Sequence, residues 1–440
     1  MKGRVMDQRQ VSMFSQELKE LIDPKHPLCR LSSQMPWGEI DRGFDGYYHY
    51  TGRPAKPVRL MVSLLILKQV YDLSDEEVTQ RWVENPYYQF FSGESVFQWK
   101  LPVHPTDLVY FRKRIGEEGV KKILQISIDL HGKKADEKEV VVDTTVQEKN
   151  ITFPTDVKLY RKIIDNCVRI AEGEGIVLRQ SYTRTIKKLI LAQRFRHHVK
   201  NRKKAIAAQR KLRTIAGRLV RELYRKLPSP GEYEKHLVLF EKILSQERNS
   251  EDKVYSIHEP QVYCVSKGKE HKKYEFGAKA SITVTKNSGI IVGALHIPKN
   301  IYDGHTLPSA LKQTEELVGR RPEVAICDRG YRGERFIDGT HIEIPGKPKK
   351  DTSQYEKQKA RKRFRRRASI EPIIGHLKAD YRLMRNYLSG HLGDSINLML
   401  AAAAFNFAKL LKELLSFLRF PFNPIFIPNP CAYSYSNANL

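Results

Sequence analysis

The chain has 440 residues, room for two to four units at about 100–200 residues per domain. Its 77 Lys and Arg against 50 Asp and Glu give a formal charge of +27, an excess that costs self-repulsion in a lone compact fold and that a polyanion relieves. A membrane-spanning protein is excluded: the apolar run Leu60 to Leu67 falls far short of the ~20 residues a bilayer needs, and the stretch Ile396 to Leu418 is broken by Asn397, Asn406, Lys409, Lys412 and Glu413.

The N-terminus, MKGRVMDQRQ, has no apolar signal-peptide core. The 5 cysteines lie far apart without a CxxC pair, so neither a zinc site nor a disulfide framework is expected, and a reducing cytoplasm fits. Residues 1–132 read as a helical domain for DNA binding or dimerisation. Ser74-Asp-Glu-Glu77 forms a capping box, and His104-Pro105-Thr106-Asp107 looks like another helix start.

The period then changes. Val140-Val-Val-Asp143 is a β-branched run that predicts a buried strand ending at Asp143. Tyr274 to Thr285 and Ile290 to Ile297, joined by Lys286-Asn-Ser-Gly289, predict a hairpin. Thr306 to Val318 predicts a helix and Glu323 to Asp328 a further short strand, before a helix carrying Glu371 and a long apolar helix from about Ser395 to Leu418. Strands alternating with helices after a hairpin predict an α/β fold with a mixed sheet, split into 137–160 and 251–418. Between the halves, 161–250 is a helical insertion. From Arg184 to Lys226 it is densely basic, including Lys200, Arg202, Lys203 and Lys204, and only Glu222 opposes that charge. A solvated face normally interleaves both signs, so a phosphate-backbone contact is the favoured reading. Residues 419–440 form a C-terminal tail.

Three carboxylates carry the candidate chemistry. Phosphodiester cleavage needs an activated oxygen nucleophile, a stabilised leaving oxygen and charge neutralisation at phosphorus, which two divalent ions supply together. Asp143 and Asp328 each follow a predicted strand, and ligands in open α/β sheets collect beyond strand ends. Taken singly, a cap or turn aspartate is the commoner reading of each. Phe364, Arg367, Glu371 and Lys378 are spaced by three, four and seven, one stripe within about 60° on a helix. A metal-binding Glu371 flanked by phosphate-holding Arg367 and Lys378 competes with plain i,i+4 pairing. Pro372 disfavours helix at Glu371, so the helix kinks there or starts at Ser369. Tyr331 and Arg332 are candidate DNA contacts. So is the basic run Lys347 to Arg367, with Arg363, Arg365 and Arg366 as a clamp beside the metals. Asp303-Gly304-His305 reads first as a cap toward Thr306, and second as an approach to the metals.

These residues resemble a known group. LSDEEVTQRWVENPYYQFFSGE with LPVHPTDLVYFRKRIG, VVVDTTVQEKNITFPTD, YDGHTL, AICDRGYRG and HLGDSINLMLAAAAFNFAKLL are similar to blocks of bacterial DDE transposases of the insertion-sequence-five family, over about residues 10 to 415. The Phe364–Arg367–Glu371–Lys378 set resembles the tyrosine–arginine–glutamate–lysine signature of the related insertion-sequence-four group. The resemblance implies an RNase H-like core and two Mg2+ ions (Mn2+ substituting), with Asp143 bridging both and Asp328 and Glu371 each completing one. It also implies double-stranded DNA as partner (terminal inverted repeats and target), assembly as a homodimer or larger, strand transfer, and work at the bacterial nucleoid. Phe364 departs from the signature by lacking a hydroxyl. The 43 residues from Asp328 to Glu371 leave no room for the β-rich insert of hairpin-forming relatives. A nuclease without strand transfer, or a non-catalytic DNA-binding protein with the same fold, is the alternative. The second predicts a lost carboxylate, and none of the three is missing.

Overall fold

The computed structural model describes Lys2 and residues 17–49, 51–52, 54–228, 231–247, 249–266, 273–345 and 353–416. The tail expected at 419–440 lies outside them. In chain order the helices are α1 (Leu18–Leu21), α2 (Pro27–Gln34), α3 (Trp37–Gly43), α4 (Val58–Val70), α5 (Asp75–Glu84), α6 (Pro86–Phe91), α7 (Pro105–Asp129), α8 (Asp156–Gly173), α9 (Thr183–Leu191), α10 (Val199–Lys226), α11 (Glu234–Ser245), α12 (Asp303–Val318), α13 (Gln354–Arg367), α14 (Ile370–Asp380) and α15 (Gly390–Ser416). The strands are β1 (Glu139–Lys149), β2 (Tyr263–Ser266), β3 (Tyr274–Thr285), β4 (Ile291–Ile297), β5 (Val324–Ile326), β6 (Phe336–Ile337), β7 (Thr340–Glu343) and β8 (Arg385–Asn386). None of the described helices is long and apolar enough to cross a membrane.

The chain divides into two compact units. One comprises Met1–Leu64, Glu76–His104 and Phe407–Leu440 and is helical where described. Its buried side chains include Leu31, Phe44, Trp82 and Phe91, and Trp82 Nε1 donates to Ser92 Oγ at 3.0 Å. Helix α6 opens with Asn85, whose side chain accepts from the Tyr87 and Tyr88 amides, and Pro86 follows at the first helical position.

The other unit comprises Leu65–Asp75 and Pro105–Asn406 and holds the 8-stranded mixed sheet. Strand β1 lies inside it. Antiparallel β3 covers one edge of β1 from Val140 to Glu148. On the opposite edge, parallel β5 pairs only with Glu139–Val141, and β8 pairs only with Glu148–Lys149. The open antiparallel–parallel arrangement, β5 and β7 continuing beyond β1, is the RNase H-like core of an α/β domain. Between β1 and β2, helices α8 to α11 pack around their own apolar cluster, with Ile163, Ile164, Leu212, Leu219 and Phe240 fully buried. Helix α10 buries Ala205, Ala208, Leu212, Ile215, Leu219 and Leu223, the last four within that cluster, a helical period that leaves its basic residues on the outside.

A buried ionic triad also stands in this unit. Asp75 takes a two-pronged Arg112 at 2.8 and 2.6 Å and Lys68 Nζ at 2.8 Å. Burial raises the Asp75 pKa, but the Arg112 guanidinium and the Lys68 ammonium overcome it and hold the carboxyl at about 2. Asp75→Asn leaves two cations buried against each other, and we expect it to cost about 3–5 kcal/mol in urea unfolding at neutral pH. Because the folded pKa is depressed, this stabilisation is complete above the ordinary carboxylate range near pH 4. It is lost as the pH falls toward 2, so the wild-type advantage shrinks across that window.

Candidate metal and nucleic-acid site

The β-branched run Val140–Val142 is buried on both faces, as a strand covered on two sides requires. Asp143 does not end this strand, contrary to the expectation from its polar flank. The strand continues through Lys149 because β3 sustains it on one edge and β8 rejoins it on the other. What ends near Asp143 is the parallel ladder to β5, whose last pair is Val141 with Ile326. Two more residues along each strand set Asp143 level with Asp328, at the mouth of an opening between β5 and β8. There the Thr144 amide donates to Asp143 Oδ1 at 2.8 Å.

Asp328 leaves β5 and caps a short turn, accepting the Gly330 amide on Oδ1 at 2.7 Å. Helix α13 ends at Arg367 and α14 starts at Ile370, with Ser369 between them as cap. Pro372 therefore occupies the first turn of α14, where its missing N–H costs nothing. The single-helix stripe is broken at that point, yet its central pair persists. Arg367 donates to Glu371 Oε1 at 3.1 Å, and its other terminal nitrogen lies 3.9 Å from Asp328 Oδ2. One guanidinium thus ties the second and third carboxylates together.

The floor of the site is buried and polar. Burial first, then the charges of Asp328 and Asp143, pushes the Cys327 thiol far above its usual range. Tyr331 is 2% exposed, its hydroxyl sits beside Thr144 without a hydrogen bond of ordinary length, and burial with the nearby Cys327, Asp143 and Asp303 keeps it protonated. Tyr331, expected to contact DNA, is instead buried within the site.

The local sequence predicts Asp303 mainly as a cap toward Thr306. The Thr306 hydroxyl instead donates to the Asp303 main-chain oxygen, and the carboxylate points to the site. Asp303 Oδ1 takes Lys279 Nζ at 3.0 Å. A β-carbon on Gly330 would meet Asp328 Oδ1 at 2.8 Å and Asp303 Oδ2 at 3.6 Å, so these two carboxylates crowd one point. Its sequence signal was the Asp-Gly-His step between a strand and a helix.

The cationic candidates disperse. Arg332 is exposed and lines a cleft of about 560 Å³ with Arg329, Arg335 and Phe364. Arg365 is exposed on α13. The side chains of Arg363 and Arg366 lie outside the described residues, as do residues 346–352 of the basic run. Lys378 lies two turns beyond Glu371 on the same face of α14 and lines a different cleft of about 640 Å³, with Phe153, Tyr274, Arg382, Arg385 and Tyr387. Lys200, Arg202, Lys203 and Lys204 are exposed on α10, and the opposing Glu222 is turned inward to Lys226 Nζ and the Arg179 amide, both at 2.8 Å. The outward face of this helix keeps its single sign.

Comparison with known proteins bears on both ends of the chain. A family described as Transposase domain (DUF772) matches residues 16–114, and one described as Transposase DDE domain matches residues 247–407. Asp328 and Glu371 fall inside the second match; Asp143 and the basic helices fall between the two. A relative from Rhizobium meliloti, "Uncharacterized protein ORF8 in nfe locus", is 44% identical over 191 residues, which cover 42% of this chain and 92% of the relative. No solved structure matches.

Oxygen-only donors from Asp143, Asp328 and Glu371 suit a hard divalent cation. Gly330→Ala forces a methyl group against the Asp328 carboxylate. We expect Mn2+ affinity, followed by electron paramagnetic resonance titration, to fall about 10–100-fold, the usual effect of disturbing a ligand's support, with the unfolding temperature nearly unchanged.

Proposed function

The chain belongs to the DDE transposases, enzymes that act on DNA with divalent metal, and from that premise we propose that it cuts at the terminal inverted repeats of an insertion sequence and joins the freed ends to target DNA. The observation that supports this most is that one arginine, Arg367, lies 3.1 Å from Glu371 and 3.9 Å from Asp328, while the β1–β5 register runs on toward Asp143 and Asp328 on neighbouring strands. In this reading Asp143, Asp328 and Glu371 hold two Mg2+ ions, for which Mn2+ substitutes. When bound, such a pair neutralises charge at phosphorus and activates the attacking oxygen.

The protein's own contribution is positioning. Arg367 keeps Asp328 and Glu371 from splaying apart before metal arrives, and its guanidinium then lies next to the scissile phosphate. The buried Tyr331 and Cys327 stay neutral and keep water from beneath the carboxylates. Lys279 holds Asp303 beside Asp328, so that a fourth carboxylate is half-neutralised rather than repelling the other three. Arg329, Arg332 and Arg335 line the path of a strand toward the site, with Arg365 and Lys378 further along it, and Arg363 and Arg366 are assigned to DNA from their place in the basic run of the sequence. Lys200, Arg202, Lys203 and Lys204 grip the duplex backbone away from the chemistry. Two DNA ends must be held together for joining, so the working form is a homodimer or larger assembly on DNA at the bacterial nucleoid. Residues 1–132 serve DNA binding or dimerisation, and the helical insertion divides the catalytic core.

Two measurements test this reading. Asp143→Asn, Asp328→Asn and Glu371→Gln are each expected to lower Mg2+-dependent 3′-end cleavage of a labelled inverted repeat by about 10²–10³-fold or more; retained cleavage removes that residue from the set. Cleavage without joining in the unaltered protein leaves a nuclease. Replacing Lys200, Arg202, Lys203 and Lys204 by Gln should flatten the plot of log affinity against log salt by about 0.9 per lost phosphate contact. An unchanged slope returns α10 to a merely solvated surface.

A further inference from the structure

Away from the three carboxylates, His296 on β4 faces His391 and Asp394 at the start of α15. One ligand atom from each lies within 4.8 Å of the other two, and His296 Nε2 stands 3.1 Å from His391 Nδ1. We propose that these side chains form a site for a borderline divalent metal of the Zn2+ type, which fastens the start of α15 to the sheet.

The geometry is prepared from both elements. His391 and Asp394 are three residues apart on one helix and so project from the same face. His296 is opposite Ala280, and Ala280 is opposite Thr145, two residues beyond Asp143. The candidate site is thus two strands away from the catalytic candidates and shares no residue with them.

The carboxylate is oriented as a ligand would be. Lys149 Nζ at 2.7 Å, Asn386 Nδ2 at 2.6 Å and Gln147 Nε2 at 3.2 Å all donate to Asp394 Oδ1. Among the described residues, no donor takes Oδ2. Metal-binding carboxylates are themselves held by such outer partners. Charge favours a cation as well. Lys149 also pairs with the buried Glu259 at 3.3 Å, so one buried ammonium serves two buried carboxylates and one negative charge is left over. An uncompensated buried charge is costly, and a cation on Oδ2 would relieve it.

The histidines have the lone pairs that binding needs. A neutral imidazole keeps one unprotonated ring nitrogen, and histidine is the commonest side-chain metal ligand. Two imidazole nitrogens and one carboxylate oxygen make a softer donor set than the all-oxygen triad, which separates Zn2+ from Mg2+ by chemistry. Three protein ligands leave one tetrahedral position for water, and His391 is exposed, which gives the ion a way in. The ligands come from segments about 95 residues apart, so no CxxC-like spacing announces them.

The test uses the full chain carrying Asp328→Asn and Glu371→Gln, so that metal binding at the carboxylate triad does not contribute. We expect one equivalent of Zn2+ by calorimetry and a rise in Tm with Zn2+ but not with Mg2+. In the same background His391→Ala, at an exposed position, should leave the metal-free Tm close to its starting value and weaken Zn2+ at least about tenfold. Co2+ substitution gives a second readout independent of that variant: intense tetrahedral-type absorption supports the site. No Zn2+ binding, undiminished binding in His391→Ala, or a weak six-coordinate Co2+ spectrum overturns it.

Discussion

Strand β1 is paired continuously on one edge and only at its two ends on the other, and the candidate site exists because of that asymmetry. Backbone groups between Val142 and Gln147 on the second edge have no strand beside them, and buried amides must be satisfied somewhere. Asp143 answers part of this locally by accepting the Thr144 amide. The parallel register with β5 sets where the opening begins, and the same register brings Asp328 level with Asp143. A shift of one residue would turn Asp143 to the opposite face of the sheet. On the proposed reading, register here matters for function as well as structure, and it rests on the apolar pairs Val140–Ala325 and Val141–Ile326.

The far end of β1 is held by different physics. Gln147 and Lys149 share the face of Asp143 and reach Asp394 on α15, Asn397 donates back to Gln147, and Glu259 binds Ser389 and the Gly390 amide. Lys149 is 4% exposed, Asp394 2% and Glu259 6%. A network of this kind adds little net stability over an apolar core of equal volume, because desolvation offsets most of the attraction. What it specifies is alignment: each donor has one acceptor, so β8 and the start of α15 are held in one register against β1. Valines close the ladder at one end of the opening and a satisfied polar cluster closes it at the other.

This division explains what was legible beforehand. Strand β3, the hairpin to β4, the start of α7 at Pro105 and the strand before Asp328 follow from local period and turn chemistry, and sequence carries those directly. The continuation of β1 past Asp143 does not. Thr145, Gln147 and Lys149 look like a solvated strand end, and only partners more than a hundred residues away make them interior. Asp303 departs from its local reading for the same reason: a short window shows the cap to Thr306, and Lys279 lies outside it. Tyr331 sits between two exposed arginines in sequence but turns inward with the Asp328 cap. The Arg367–Glu371 pair persists although the stripe is interrupted, because α13 and α14 break just before Pro372 and Arg367 spans the break.

The basic helices were legible because they are nearly self-sufficient. A surface of one sign repels itself, and a helix can carry it only where apolar burial outweighs the repulsion. Helix α10 has that burial, a continuous apolar face against α8, α9 and α11, and the acid in its sequence is spent internally on Lys226 and the Arg179 amide. The charges consequently do not depend on the sheet for support, nor the sheet on them. Substitutions on the outer face of α10 therefore need not disturb the register that levels Asp143 with Asp328. Helix α8 follows β1 within a few residues of Lys149, so the helical insertion is still joined directly to the strand that carries Asp143.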